Sequence, residues 1–475
     1  MSYREYKRRR RQRRRSRRSL GRTAFTIAGI LTGIALTAAA GTGIFFLGKQ
    51  YLSERFKPNP DAVVTEQQTG EAEPLSLLLE EAERLAAGYD YESAIALLRS
   101  RTEYQTEPQL SEKIAEYETA ANTLVPVNIN EVTHVFFHSL IADTARAFDG
   151  DIDADGYNQV MTTIGEFNKI LQSLYDKGYV LVRLHDLAYE TADENGETVM
   201  KPGRILLPEG KKAIVMSQDD LCYYPYMEND GFASRIVIGA NGMPTCEMIM
   251  SDGSVSTGSY DLVPILEDFI EEHPDFSYKG ARAVLAFTGY EGILGYRTAA
   301  SFSDSETYEK DREEAKKVAQ CLKDHGWELA SHSWGHLNLG AVEWERFVND
   351  TDKWEQEVDS LIGPADIILF PFGSDIGDWH PYTTENERFN YLYEAGFRYF
   401  CNVDSHQYWV QLGEKHLRQG RRNLDGYRMW KDIEAGEAAL ETTEQPTTLP
   451  KRRLDDLFRA EDVFDEARPT PVPEY

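Results

Sequence analysis

From residue 127 onward, short apolar runs alternate with longer amphipathic stretches. The runs THVFFH (133–138), YVLVRL (179–184), KAIVMS (212–217), RAVLAF (282–287), WELAS (327–331), DIILF (366–370) and FRYFC (397–401) predict seven strands. Helical spacing fills most of the gaps between them, at 159–176, 306–325, 342–361 and 385–395. Such alternation predicts an α/β fold with a parallel sheet, and seven strands suit a barrel, where chemistry gathers at the C-terminal strand ends. The stretch 222–281 breaks the alternation. Its turns ANG and SDG separate short alternating runs ahead of a helix at 261–273, so two hairpins are expected to be inserted over the barrel mouth.

Upstream, Leu75, Leu78, Leu79, Ala82 and Leu85 share one helical face, Gly88 offers a cap, and Tyr91, Ala94, Ile95 and Leu98 continue on a second helix. A third stripe runs through Leu110, Ile114, Tyr117 and Ala121. The hairpin looks like a single tetratricopeptide-type unit. One copy falls short of the roughly three repeats a solenoid needs, so 74–124 reads as a small helical stalk. Residues 23–48 carry no charge and are long enough, at about 1.5 Å per residue, to span a hydrocarbon core of about 30 Å. They predict a transmembrane helix. Residues 1–22 hold twelve Lys and Arg against the single acid Glu5, which marks the cytoplasmic side and sends the barrel to the cell exterior. A cleaved signal peptide is the weaker reading, because a cut near TAAAG (37–41) would leave IFFLG behind. Gly29 and Gly33 form a GxxxG pair, a face through which the transmembrane helix could form a homodimer. Residues 49–73 read as a polar linker and 433–475 as an acidic, partly disordered tail ending in the proline-rich RPTPVPEY.

Charge narrows the function classes. The net charge is −28 although the first 22 residues are strongly basic, so the remaining body is very acidic and would repel phosphate, which excludes a nucleic-acid partner. The four cysteines at 222, 246, 321 and 401 show no C-x-x-C spacing, which argues against a thiolate metal site. An oxidising exterior permits a Cys222–Cys246 disulfide, with buried free thiols as the alternative. DIDADGYNQVMT (151–162) imitates a calcium loop through Asp151, Asp153, Asp155 and Gly156, but Thr162 stands where a bidentate Glu is needed. A plain Asp-rich loop is expected.

The candidate chemistry lies at two strand ends. His332 and His336 follow the strand WELAS, and their spacing lets one metal ion bridge them. A third ligand is needed. The strand KAIVMS ends in QDDL, and adjacent carboxylates at Asp219 and Asp220 are costly to bring together unless a cation or a reaction uses them. One can bind metal while its neighbour stays free as a base.

These stretches resemble the motifs of the polysaccharide deacetylases with the NodB-homology domain, carbohydrate esterase family four. SQDDL (217–221) is similar to that family's T-F-D-D-G, HSWGH (332–336) matches H-[ST]-x-x-H, LFPFG (369–373) is similar to R-x-P-[FY]-G, and FFHSL (136–140) is similar to the opening MYHSI. The likeness covers about 130–430, with 222–281 outside the usual pattern. It implies a distorted (β/α)7 barrel over 127–432, a divalent metal, often zinc, held by Asp220, His332 and His336, and Asp219 as general base. Pro371, Phe372 and Gly373 would line a sugar groove, with Trp379 as an aromatic face. The implied activity is a membrane-anchored extracellular hydrolase that removes N-acetyl groups from amino sugars of a polysaccharide, peptidoglycan or exopolysaccharide. Departures from the motifs matter. Leu369 replaces the arginine that would orient the catalytic Asp, Gln218 and Leu221 replace Phe and Gly, and no L-x-H motif supplies a general acid. His406 and His416 are candidates for the acid by position, and Arg421 or Arg422 for the missing charge. The same losses motivate a rival reading, a catalytically impaired, membrane-tethered glycan-binding protein of this fold. A scaffold recruiting envelope partners through the helical hairpin is a further alternative.

Overall fold

The computed structural model describes residues 74–378, 380–441 and 452–474. The predicted membrane span, with its basic flank and linker, lies outside these residues, and among the described ones no helix is long and apolar enough to cross a membrane. The principal strands are β1 (Thr133–Phe137), β2 (Tyr179–Leu181), β3 (Lys212–Gln218), β4 (Val284–Phe287), β5 (Glu328–Ser331), β6 (Ile367–Leu369), β7 (Tyr399–Val403) and β8 (Leu417–Asn423). Seven of them form a closed parallel barrel in the order β4-β5-β6-β7-β8-β1-β3, with β3 returning to β4 through Val284↔Ser217 and Leu285↔Gln218.

The number of barrel strands matches the expectation, but the membership does not. The run at 179–184 contributes only β2, which pairs with the first half of β3 from Tyr179↔Lys212 to Leu181↔Ile214 and lies beside the barrel wall. Its place is taken by β8, LRQGRRN, which has no apolar run to reveal it. Six of its seven residues are nevertheless buried. The arginines tolerate burial because each has a carboxylate: Arg418 pairs with Asp375, Arg421 with Asp219 and Arg422 with Asp456. No helix joins β7 to β8. The chain returns instead through Val410–Leu412, antiparallel to β8.

Helices α1 (Leu75–Ala87), α2 (Tyr91–Arg99) and α3 (Pro108–Ala121) follow the predicted apolar stripes, burying Leu78, Ala82, Ala94, Leu98, Leu110, Ile114 and Tyr117. The turn between α1 and α2 docks on the chain leading into β4. Gly88 O accepts from Lys279 N at 2.7 Å, and the Tyr89 hydroxyl donates to Asp275 O at 3.0 Å. Because this contact precedes β4, it lies at the end of the barrel opposite the strand C-termini. The covering helices are α4 (Ile164–Asp176), α5 (Leu262–Glu272), α6 (Tyr308–Asp324), α7 (Trp344–Trp354), α8 (Glu387–Ala395) and α9 (Gly426–Glu441). A capping box between Thr163 and Glu166 starts α4. Glu166 also forms a fully buried ion pair with Arg468, at 2.6 Å. That pair corrects the expectation of a disordered proline-rich end. Residues 452–474 pack on the barrel, with Arg468 further bonded to the carbonyls of Asn158 and Met161.

Inside 222–281 the two expected hairpins are present as a three-stranded antiparallel sheet, Arg235–Ile238, Pro244–Ile249 and Val255–Gly258. Ile236 N bonds Leu294 O and Arg146 Nη1 bonds Ile249 O, so this sheet rests on the loops that follow β4 and β1. Cys222, Cys246, Cys321 and Cys401 are all buried free thiols.

Alternation along the strands explains where the site falls. Ala213, Val215, Val284, Ala286, Ala330, Ile367, Leu369, Tyr399, Cys401 and Leu417 form one buried cluster filling the lower barrel. Side chains of a strand alternate between faces, so two residues further along the same face stand Ser217 on β3 and then Asp219 just past its end, Thr288 after β4, His332 after β5, and Gln419 and then Arg421 on β8. The inner surface is thus apolar below and polar at the C-terminal mouth.

Candidate metal centre at the barrel mouth

Asp220, His332 and His336 place one carboxylate oxygen and two ring nitrogens within 4.8 Å of one another. The chain achieves this by leaving both strands through left-handed turns. Asp220 (φ +58°) turns away immediately after Asp219, and Ser333 (φ +63°) and His336 (φ +50°) fold the loop after β5 back over the mouth. Asp219 stays in the strand ladder, its N–H donating to Phe137 O at 2.8 Å, and so keeps pointing inward. The neighbouring carboxylates therefore have different surroundings.

Asp219 is buried against Arg421 in a bidentate pair, Nη1–Oδ1 2.6 Å and Nη2–Oδ2 2.9 Å. Burial alone would raise its carboxyl, but the charge of Arg421 and its hydrogen bonds outweigh it and hold the group well below the usual carboxylate range. Arg421 thus places a positive charge on Asp219 that Leu369 cannot supply. It is itself fixed by a chain of buried hydrogen bonds whose directions are all determined. Gln419 Nε2 donates to Val132 O, so Gln419 Oε1 accepts from His134 Nδ1 at 3.1 Å. His134 Nε2 then accepts from Ser217 Oγ at 2.9 Å, and Ser217 Oγ accepts from Arg421 Nη1 at 3.2 Å. Burial and the charge of Arg421 keep His134 neutral, as this chain requires.

His332 donates from Nδ1 to Leu369 O at 2.8 Å, which leaves the Nε2 lone pair facing the mouth. Burial lowers its pKa, favouring the neutral ring a metal needs. On Asp220, the Tyr224 hydroxyl donates to Oδ1 at 2.8 Å, leaving Oδ2 toward His336 Nε2 at 3.5 Å. A third histidine also faces Oδ2. His138 Nε2 lies 4.0 Å away, and His138 Nδ1 bonds Val160 O. His138 lies in FFHSL, where no neighbouring residue marks it as part of a site. Its signal was its position one inward step beyond Phe136 on β1.

The loop carrying both histidine ligands hangs on Asp350 of α7, whose carboxylate accepts from Trp334 N at 2.9 Å and Gly335 N at 2.7 Å. No local pattern in WERFVNDTDKW singles this residue out. Asp350→Ala should weaken metal affinity by about 10–100-fold, the usual cost of losing a group that orients ligands. Competition titration against a chromogenic chelator measures this, and unchanged affinity would show that the loop holds itself.

The other expected residues fall as follows. Pro371 is buried, while Phe372 (φ +56°) projects its ring onto His336 with centroids 4.5 Å apart. Gly373 also has positive φ, and a Cβ there would meet Val403 Cβ at 2.4 Å, so only glycine fits. Trp379 lies outside the described residues. Gln218 is buried and bonds both oxygens of Asp261, whose carboxyl burial pushes up to about 6. Of the acid candidates, His406 is an exposed ring paired with Asp404, and His416 packs among Tyr382, Phe389 and Phe400. Arg422 is engaged by Asp456 and takes no part in the site. Asp151, Asp153 and Asp230 bring carboxylate oxygens together elsewhere, where Asp151 caps the N–H groups of Asp153 and Ala154.

Fold and side chains together define a parallel α/β barrel whose mouth carries an Asp-His-His set able to hold a cation. No family model and no curated protein matches the chain. Among solved structures, it is similar to the Streptococcus pyogenes deacetylase PplD in complex with acetate, with 11% identity over 63% of this chain and 93% of that one, at a TM-score of 0.32. It is also similar to the 4-alpha-glucanotransferase from Thermococcus litoralis (15% identity, 38% and 27% covered, TM-score 0.23). A third likeness is to the alpha-N-acetylgalactosaminidase NagBb from Bifidobacterium bifidum (14% identity, 79% and 55% covered, TM-score 0.22). At these scores the likenesses carry no argument for this chain.

Proposed function

We propose that this protein is a metal-dependent deacetylase that hydrolyses N-acetyl groups on the amino sugars of a polysaccharide. The observation that supports it most is the division of labour within Asp219-Asp220: one carboxylate is locked to Arg421 inside the barrel, and the other is turned toward two histidines. The donor set fits a divalent cation such as zinc, since His332 spends Nδ1–H on a carbonyl and is held neutral by burial. Bound by Asp220, His332 and His336, such a cation would supply Lewis acidity, making water more acidic and polarising an acetyl carbonyl.

The chain's own groups do the rest. Asp219, kept ionised by Arg421, is always available to accept a proton. The same pairing makes it a weak base, so it suits a water already made acidic. Each carboxylate oxygen retains a lone pair beyond the bond to Arg421. The leaving amine needs a proton; His138, with Nδ1–H committed to Val160 O, would deliver it from Nε2 in its imidazolium form and take a replacement from solvent. Arg421 also removes one ground for the glycan-binding rival, which rested partly on the arginine missing at Leu369. The proposal keeps the barrel outside the cell on the anchor at 23–48, with peptidoglycan or an exopolysaccharide as substrate; this part rests on the sequence alone.

Purified full chain should release acetate from N-acetylglucosamine oligomers, lose that activity on chelation, and regain it with zinc. Absence of release from any N-acetylated glycan by the metal-loaded protein would overturn the proposal.

A further inference from the structure

Two large aromatic rings stand exposed beside the triad, and each rests on a side chain of the centre. Phe372, 71% exposed, lies against His336. Tyr226, 55% exposed, is stacked on Tyr224 with centroids 5.4 Å apart and planes 13° from parallel, and Tyr224 is the residue that bonds Asp220. The stack continues inward. Tyr224 lies on Tyr290 at 5.6 Å, and Tyr290 meets Trp334 of the histidine loop at 6.4 Å. A ring supported in this way is already oriented, so a ligand that covers its free face loses little to ordering. Tyr226 belongs to the inserted 222–281 segment, which already supplies Tyr224 to Asp220.

We infer that Tyr226, backed by Tyr224, is a stacking platform for a pyranose ring of the glycan whose N-acetyl group enters the triad. The inserted segment thereby supplies a sugar subsite. The inference rests on the deacetylase proposal and adds to it the residue that grips the chain beside the reacting unit. A pyranose presents a face of C–H bonds that matches an aromatic face, and binding there uses the ring of Tyr226 and not its hydroxyl.

The test compares the metal-loaded full chain with Tyr226→Ala and Tyr226→Phe on the pentamer of N-acetylglucosamine. Loss of one stacked ring is worth about tenfold in affinity. Tyr226→Ala should therefore raise KM for the pentamer about tenfold with kcat within about twofold, while Tyr226→Phe keeps the wild-type KM. Calorimetric titration of the pentamer reads binding without catalysis and should show the same loss in Tyr226→Ala. If the wild type releases acetate and Tyr226→Ala has unchanged KM and affinity, the platform is wrong while the deacetylase proposal stands. If the wild type binds the pentamer through Tyr226 but releases no acetate, the platform stands and the deacetylase proposal fails.

Discussion

His332→Ala should bind zinc more than about 100-fold more weakly than the wild type, because removing a ligand outright exceeds the 10–100-fold cost of disturbing a group that only orients one. The side chain is buried with Nδ1 committed to Leu369 O, which holds its Nε2 toward the mouth. Metal content after dialysis, measured by atomic spectroscopy on the full chain, gives the result directly. His416→Ala serves as the control, since that buried ring packs against Tyr382, Phe389 and Phe400 and not against the triad. Equal zinc in His332→Ala and wild type would remove the proposed centre.

The second large effect separates the two neighbouring carboxylates. Asp219→Asn should lower acetate release by about 100-fold or more, the scale of a lost general base, while zinc content stays close to that of the wild type. The amide is similar in size and still offers one oxygen to Arg421, but it can neither accept the proton nor neutralise the buried guanidinium. Breaking a buried pair costs about 3–5 kcal/mol when a charge is left alone, so a lowered melting temperature is expected as well. Activity must be compared below the melting transition. Asp220→Asn should behave in the opposite way and lose metal, because its Oδ2 faces His336 and His138. Metal lost from Asp219→Asn and kept in Asp220→Asn would reverse the roles.

Parts of this site were legible in the chain because they are local. A strand ending in QDDL and another ending in HSWGH each carry their chemistry within five residues, and the shared direction of parallel strands sends both ends to one mouth. The partner of Asp219 was narrowed only to Arg421 or Arg422, by position. Arg421 lies 202 residues away, on a strand with arginine where apolar residues would normally announce burial. Tyr226 was hidden differently. Its segment was recognised as an insertion, but nothing in CYYPYM says that one ring will stack on another and face outward beside Asp220.

The alternation of strands and helices, the inserted hairpins, and the residues at two strand ends are local properties of the chain, since period-two and helical patterns are written in neighbours. Tertiary structure alone decided which strands close the barrel, that Arg421 is the charge held against Asp219, that His138 faces Asp220, and that the proline-rich end is tied down through Arg468 and Glu166. Those outcomes depend on burial and pairing between residues far apart in the chain. An arginine is unfavourable inside a barrel until the fold brings a carboxylate to it.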